Sequence, residues 1–101
     1  MPIKVILQTV DGNRQDEVLD ANCALAKIWP VGDSTFPLLQ YVDPYGNSIF
    51  NRQQMHQVVE ELDVLLSRVL TDEQKEILLR VRGLAAKCKD RPHLFLRFRG
   101  D

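Results

Sequence analysis

The tightest constraint in this chain lies at Leu70-Thr71, where one apolar helical stripe ends and another begins with almost no linker. The first stripe follows Asn51, a residue type suited to a helix N-terminus, and Gln54 stands three residues on, placed to reach back to the Asn51 amide as in a capping box. Met55, Val58, Val59, Leu62, Leu65, Leu66 and Val69 then recur at spacings of three and four, with Gln57, Glu60, Glu61 and Ser67 on the polar side. Thr71 and Gln74 repeat the capping pattern, and Ile77, Leu78, Val81, Leu84, Ala85 and Cys88 form the second stripe. Two consecutive helices are expected, over about 52–69 and 72–89, meeting at a sharp corner. Each carries an apolar face that needs a surface to cover.

Strands at the two ends of the chain supply that surface. Ile3, Val5 and Leu7 alternate with Lys4, Ile6 and Gln8, the period of a strand over about 3–10, and Asp11-Gly12-Asn13 then signals a turn. Pro92 stops the second helix, and the last strand, about 93–99, alternates Leu94, Leu96 and Phe98 with His93, Phe95, Arg97 and Arg99. The first and last strands are expected side by side in one sheet.

The middle of the chain is less regular. An extended segment is expected near 15–19 and a short helix over about 21–28, because Leu19, Cys23, Ala26 and Trp29 recur at helical spacing. A strand over 36–42, with Pro37 confining it to an edge or to its own start, would form a hairpin with 48–50 through a type I turn at Asp43-Pro44-Tyr45-Gly46. The fold class is therefore α+β: a small antiparallel or mixed sheet covered on one face by the two helices, all of 1–101 forming a single domain.

Composition narrows function by exclusion. With 101 residues and 45% hydrophobic content, the chain can bury one core without disulfides or metal. Cys23 and Cys88 lie far apart and outside any Cys-x-x-Cys pattern, so two reduced thiols are expected. No signal-peptide core or membrane-length apolar run is present in the sequence, which points to a cytoplasmic location and no membrane partner. Cys23, His56, Cys88 and His93 show no chelating spacing, so neither metal nor other cofactor is expected. Ser34, Ser48 and Ser67 lack a nucleophile setting, Glu60 and Glu61 diverge around a helix, and the five glycines make no phosphate loop. No catalytic residue emerges, and an enzyme would need a site that no motif reveals.

Charge is distributed unevenly. Net charge is −1, yet residues 1–50 hold three basic against six acidic residues, and the window from Arg80 to Arg99 holds seven basic residues against Asp90 alone. Lys87 and Lys89 are accounted for at a helix C-terminus, where the dipole favours cations. Phe95, Arg97 and Arg99 are not, and Lys4 and Gln8 are expected beside them on the neighbouring strand. A second candidate surface runs from Asp43 to His56, where turn and cap chemistry explains Asp43, Pro44, Gly46, Asn51 and Gln54 but leaves Tyr45 and Arg52 over. The candidate binding residues are thus Tyr45, Asn47, Arg52, His56, Phe95, Arg97 and Arg99.

Two segments carry a resemblance. Asp43-Pro-Tyr-Gly-Asn-Ser-Ile-Phe-Asn51 and His93-Leu-Phe-Leu-Arg-Phe-Arg-Gly-Asp101 resemble a pattern in small bacterial proteins of unknown function, which implies a bacterial cytosolic origin and brings no activity or functional residue with it. The small size and acid-rich first half are also similar to those of bacterial immunity proteins that mask toxins. The expected function is a non-enzymatic module that binds a macromolecule, a protein first of all, in an immunity-like or regulator-like role. Single-stranded nucleic acid on the aromatic and basic face of the last strand is the alternative. Self-association is a further expectation, if the Phe95-bearing strand stands at a sheet edge.

Overall fold

The computed structural model describes residues 3–43 and 45–100. Strands β1 (Lys4–Thr9) and β2 (Arg14–Leu19) form a hairpin, followed by a long segment and β3 (Asn47–Asn51). Helices α1 (Met55–Leu66) and α2 (Asp72–Asp90) come next, and β4 (Leu94–Arg99) closes the sheet. All pairings are antiparallel and the order is β2-β1-β4-β3, so the strand latest in sequence lies between β1 and β3. The first and last strands are paired as expected, and the fold is α+β.

Both capping boxes form. The Asn51 side chain accepts from the Gln54 amide and the Gln54 side chain accepts from the Asn51 amide, opening a short 3-10 turn (Arg52–Gln54) that leads into α1. Thr71 and Gln74 make the same exchange at the start of α2. The first helix ends at Leu66, three residues before the expected end, because the chain turns there: Ser67 Oγ donates to the Val64 carbonyl at 2.6 Å. Val69, expected on the apolar face, is consequently fully exposed. Met55, Val58, Leu62 and Leu65 of α1 and Leu78, Val81, Leu84, Ala85 and Cys88 of α2 are buried in one core with Val5, Leu7, Leu94, Leu96 and Phe98 of the sheet.

The segment between β2 and β3 departs most from expectation. The stretch 21–28 is a series of turns rather than a helix. Asp20 is buried, and its two carboxylate oxygens accept from the Ala24 and Leu25 amides at 2.8 Å each, while Cys23 takes a left-handed φ of 57°. An aspartate that captures nearby amides competes with helix formation, and a left-handed residue interrupts it. Nor is 36–42 a strand: it holds a 3-10 turn (Leu39–Tyr41), and the hairpin partner of β3 is absent because β3 pairs with β4 instead. Glu61 of α1, also buried, accepts from the Leu39 amide at 2.9 Å and the Leu38 amide at 3.0 Å, so a distant helix uses the donors that a strand would need. Of the expected type I turn, Gly46 donates to the Asp43 carbonyl at 3.2 Å; Pro44 lies outside the described residues.

This irregular segment completes the core. Leu25, Trp29, Phe36, Leu39 and Val42 join it, Trp29 Nε1 donates to the Leu39 carbonyl at 3.1 Å, and Arg68 lies 4.8 Å from the Phe36 ring centroid. Trp29 and Phe50 both meet Phe98, at centroid distances of 5.4 and 5.7 Å. Helices and segment therefore share one face of the sheet.

Cys88 gives a titratable handle on this core. Burial in apolar surroundings disfavours the thiolate and pushes the thiol up to about 11 from an ordinary 9.0. The unfolded chain releases that proton near pH 9 while the folded chain keeps it, so stability present below that pH falls as the medium approaches pH 11, by up to about 3 kcal/mol. Urea titrations at pH 8, 9, 10 and 11 are expected to show a shallower alkaline decline for Cys88→Ala than for the native protein. Equal slopes would refute the burial effect.

Candidate interaction surface

Alternation along the strands sends every second side chain away from the helices. Register then sets these residues in three rows across the sheet from β2 to β3: Leu19, Lys4, Arg99, Asn47; Glu17, Ile6, Arg97, Ile49; and Arg14, Gln8, Phe95, Asn51. Residues that lie far apart in sequence become neighbours. An irregularity between Leu7 and Gln8 in the β1–β2 pairing shifts the register so that Gln8 faces Arg14.

The middle of the face is apolar. Ile6 has 0% exposure although it belongs to this face and not to the main core, so the long side chains around it exclude water from it. Ile49 is 55% exposed, Phe95 is half-buried, and together with Gln8, Thr9 and Val10 they line an open depression of about 200 Å³. Cations surround this centre. Glu17 pairs with Lys4 at 3.3 Å and Arg14 at 3.5 Å, whereas Arg97 Nε donates to Asn47 Oδ1 at 2.9 Å. Among the described residues, the partner that holds Arg97 is thus a neutral one. Among the described residues, Lys4, Arg14, Arg97 and Arg99 face one acid, Glu17.

The expected site residues divide between this face and its border. Phe95, Arg97 and Arg99 lie on β4 with Lys4 and Gln8 beside them, in the predicted arrangement. Asn47 joins them through Arg97. Arg52 Nε donates to the Lys89 carbonyl at 3.0 Å, which ties the start of the 3-10 turn to the end of α2. Arg52 also lines an open cleft of about 430 Å³ with Asn51, Gln53, Pro92, His93, Leu94 and Phe95, so it borders the same face. His56 does not line this cleft, and its Nε2 lies 3.2 Å from Glu60 one turn along α1. Tyr45 is exposed in the turn before β3. At this helix start the amides of Asn51 and Gln54 are taken by the capping box.

Two contributors to the face, Ile49 and Leu19, escape sequence reasoning, whereas Ile6 falls with Lys4 and Gln8 by alternation. Ile49 depends on knowing that β3 pairs with β4. The segment 14–29 supplies β2 and then Leu25 and Trp29 of the core. The Phe95-bearing strand does not stand at an edge; it is flanked by β1 and β3, and the edges are β2 and β3.

Among the described residues, no three His, Cys, Asp or Glu side chains converge as metal ligands would, and no helix is long and apolar enough to cross a membrane. What the surface offers is contact: an aliphatic and aromatic centre, guanidinium groups around it, and amide side chains at its margin. No protein family, curated protein or solved structure matches this chain.

Proposed function

We propose that this chain is a binding module that engages another protein through the face that presents Ile49, Phe95, Arg97 and Arg99. The observation that carries the reading is the accessible apolar patch of Ile49 and Phe95 beside cations that outnumber their acidic partners among the described residues. Protein interfaces have this construction, an apolar middle within a polar margin, with aromatic residues and arginine enriched. The partner surface that fits is acidic at its margin and apolar at its middle. An immunity-like or regulator-like role belongs to the same reading, since such proteins act by covering a surface of their target.

Nucleic acid fits less well. Stacking of successive bases calls for two or three aromatic side chains on a sheet, and this face has Phe95 alone, beside aliphatic Ile6, Ile49 and Leu19. The net charge of −1 also works against a general polyanion binder.

A photocrosslinking amino acid at position 95 is expected to capture one protein in the native cell, and the same group at exposed Leu79 on α2 is expected not to capture it. With that protein purified, Phe95→Ser combined with Arg97→Glu is expected to weaken binding by about 30-fold or more, the effect of losing about 2 kcal/mol at an interface centre. Unchanged affinity would sink the reading. Salt-sensitive binding of labelled oligo(dT), lost in Arg97→Ala and Arg99→Ala, would replace it with the nucleic-acid alternative.

A further inference from the structure

The two edges of the sheet differ in a way that points to a second copy of this chain. In an antiparallel ladder, alternate residues bond to one neighbour and the rest point their amides and carbonyls the other way. Gly100 donates to the Gly46 carbonyl at 2.7 Å, which fixes the phase: Ser48 and Phe50 bond to β4, while Asn47 and Ile49 turn their backbone groups to the open edge. Asn51 follows the same phase, and its amide is engaged by Gln54.

Edge strands are ordinarily protected from pairing by charge. On β2 that protection is present, as Arg14, Asp16 and Glu17, with Asp16 bonded to Lys87 of α2 at 3.0 Å and Glu17 paired with Lys4 and Arg14. Strand β3 reads Asn-Ser-Ile-Phe-Asn and has no charge. Its outward residues, Asn47, Ile49 and Asn51, read the same in both directions, so a two-fold axis at Ile49 sets isoleucine against isoleucine and asparagine against asparagine. Exposed apolar groups gather at the same edge. Ile49 is 55% exposed, Tyr45 in the preceding turn 71%, and Tyr41, whose carbonyl lies 3.5 Å from Ser48 Oγ, 73%. With a net charge of −1, two copies hardly repel each other.

We propose that β3 pairs antiparallel with β3 of a second copy about a two-fold axis at Ile49, making one eight-stranded sheet. The Ile49 amides and carbonyls exchange two hydrogen bonds, and each Asn47 amide reaches the Asn51 carbonyl of the other copy. The ladder stops where Gln54 already holds the Asn51 amide. A contact this short belongs with weak, concentration-dependent assemblies. Its consequence is that the open faces of two copies lie side by side, with Phe95 and Arg97 repeated across the axis. The inference rests on the strand edge and is independent of which partner the open face binds.

Sedimentation equilibrium from about 10 μM to about 1 mM, the range in which small interfaces assemble, is expected to show the mass rising toward twice 11.6 kDa. Ile49→Lys, which sets two ammonium groups against each other at the axis, is expected to raise the dissociation constant at least about tenfold. Gln15→Lys on the β2 edge is expected to leave it unchanged, with circular dichroism checking that both variants fold. In the native protein the Ile49 amide is expected to exchange more slowly with solvent as concentration rises, a readout that needs no variant. A monomer mass throughout the range, a dimer indifferent to Ile49→Lys, or concentration-independent exchange at Ile49 would overturn the proposal.

Discussion

Phe98→Ala is expected to lower the unfolding free energy by about 4 kcal/mol, the middle of the range for removing a buried aromatic ring. Phe98 is fully buried on β4, between β1 and β3, and its ring meets Trp29 at 5.4 Å and Phe50 at 5.7 Å. One truncation thus leaves a cavity and removes two ring contacts, each contributing about 0.5–1.5 kcal/mol beyond area burial. A domain of this size is stable by about 5–15 kcal/mol, so the loss takes a quarter or more of the total. Trp29 is the single tryptophan of the chain and reports on its own contact with Phe98. Urea unfolding followed by its fluorescence should show a lower midpoint, and a loss below about 1.5 kcal/mol would contradict the packing described.

Glu61→Ala is expected to cost about 3 kcal/mol by a different route. The buried carboxylate accepts from the Leu38 and Leu39 amides, and alanine leaves a buried donor at Leu39 and a half-buried one at Leu38 without an acceptor, a penalty of up to about 1–3 kcal/mol each. Glu61→Gln keeps one oxygen able to accept from both amides and is expected to recover at least half of the loss. Hydrogen exchange distinguishes this effect from general destabilisation. In Glu61→Ala the Leu38 and Leu39 amides should exchange faster under conditions where α2 amides remain protected. Protection unchanged at those two positions would show that the carboxylate does not hold the segment.

These two side chains also mark the limit of what could be read from the sequence. Both capping boxes, the apolar stripes of α1 and α2 and the alternation of β1 and β4 are local patterns, with the interacting residues within a few positions of one another. Glu61 acts on amides more than twenty residues away, so nothing near Leu38 or Leu39 signals that their donors are taken. Within 21–28 the helical spacing of Leu19, Cys23 and Ala26 is real, but the Asp20 carboxylate and the left-handed Cys23 override it. The same division holds for the candidate surface. Phe95, Arg97 and Arg99 could be assigned to the face opposite Leu96 and Phe98 by alternation alone. That Asn47 and Ile49 share that face follows from β3 pairing with β4, a contact between positions nearly fifty residues apart.

The strand order also governs how the chain acquires its shape during synthesis. Of the three pairings in the sheet, the β1–β2 hairpin alone can form before β4 is made; the other two wait for β4. Until then β3 lacks a neighbour on either side, and Ile49-Phe50 stands bare in a growing chain whose helices have already been translated. Distant pairings of this kind slow folding and lengthen the exposure of sticky intermediates. A chain lacking β4 therefore holds a hairpin, two helices missing Leu94, Leu96 and Phe98 from beneath them and an unmatched strand, a state prone to capture by chaperones.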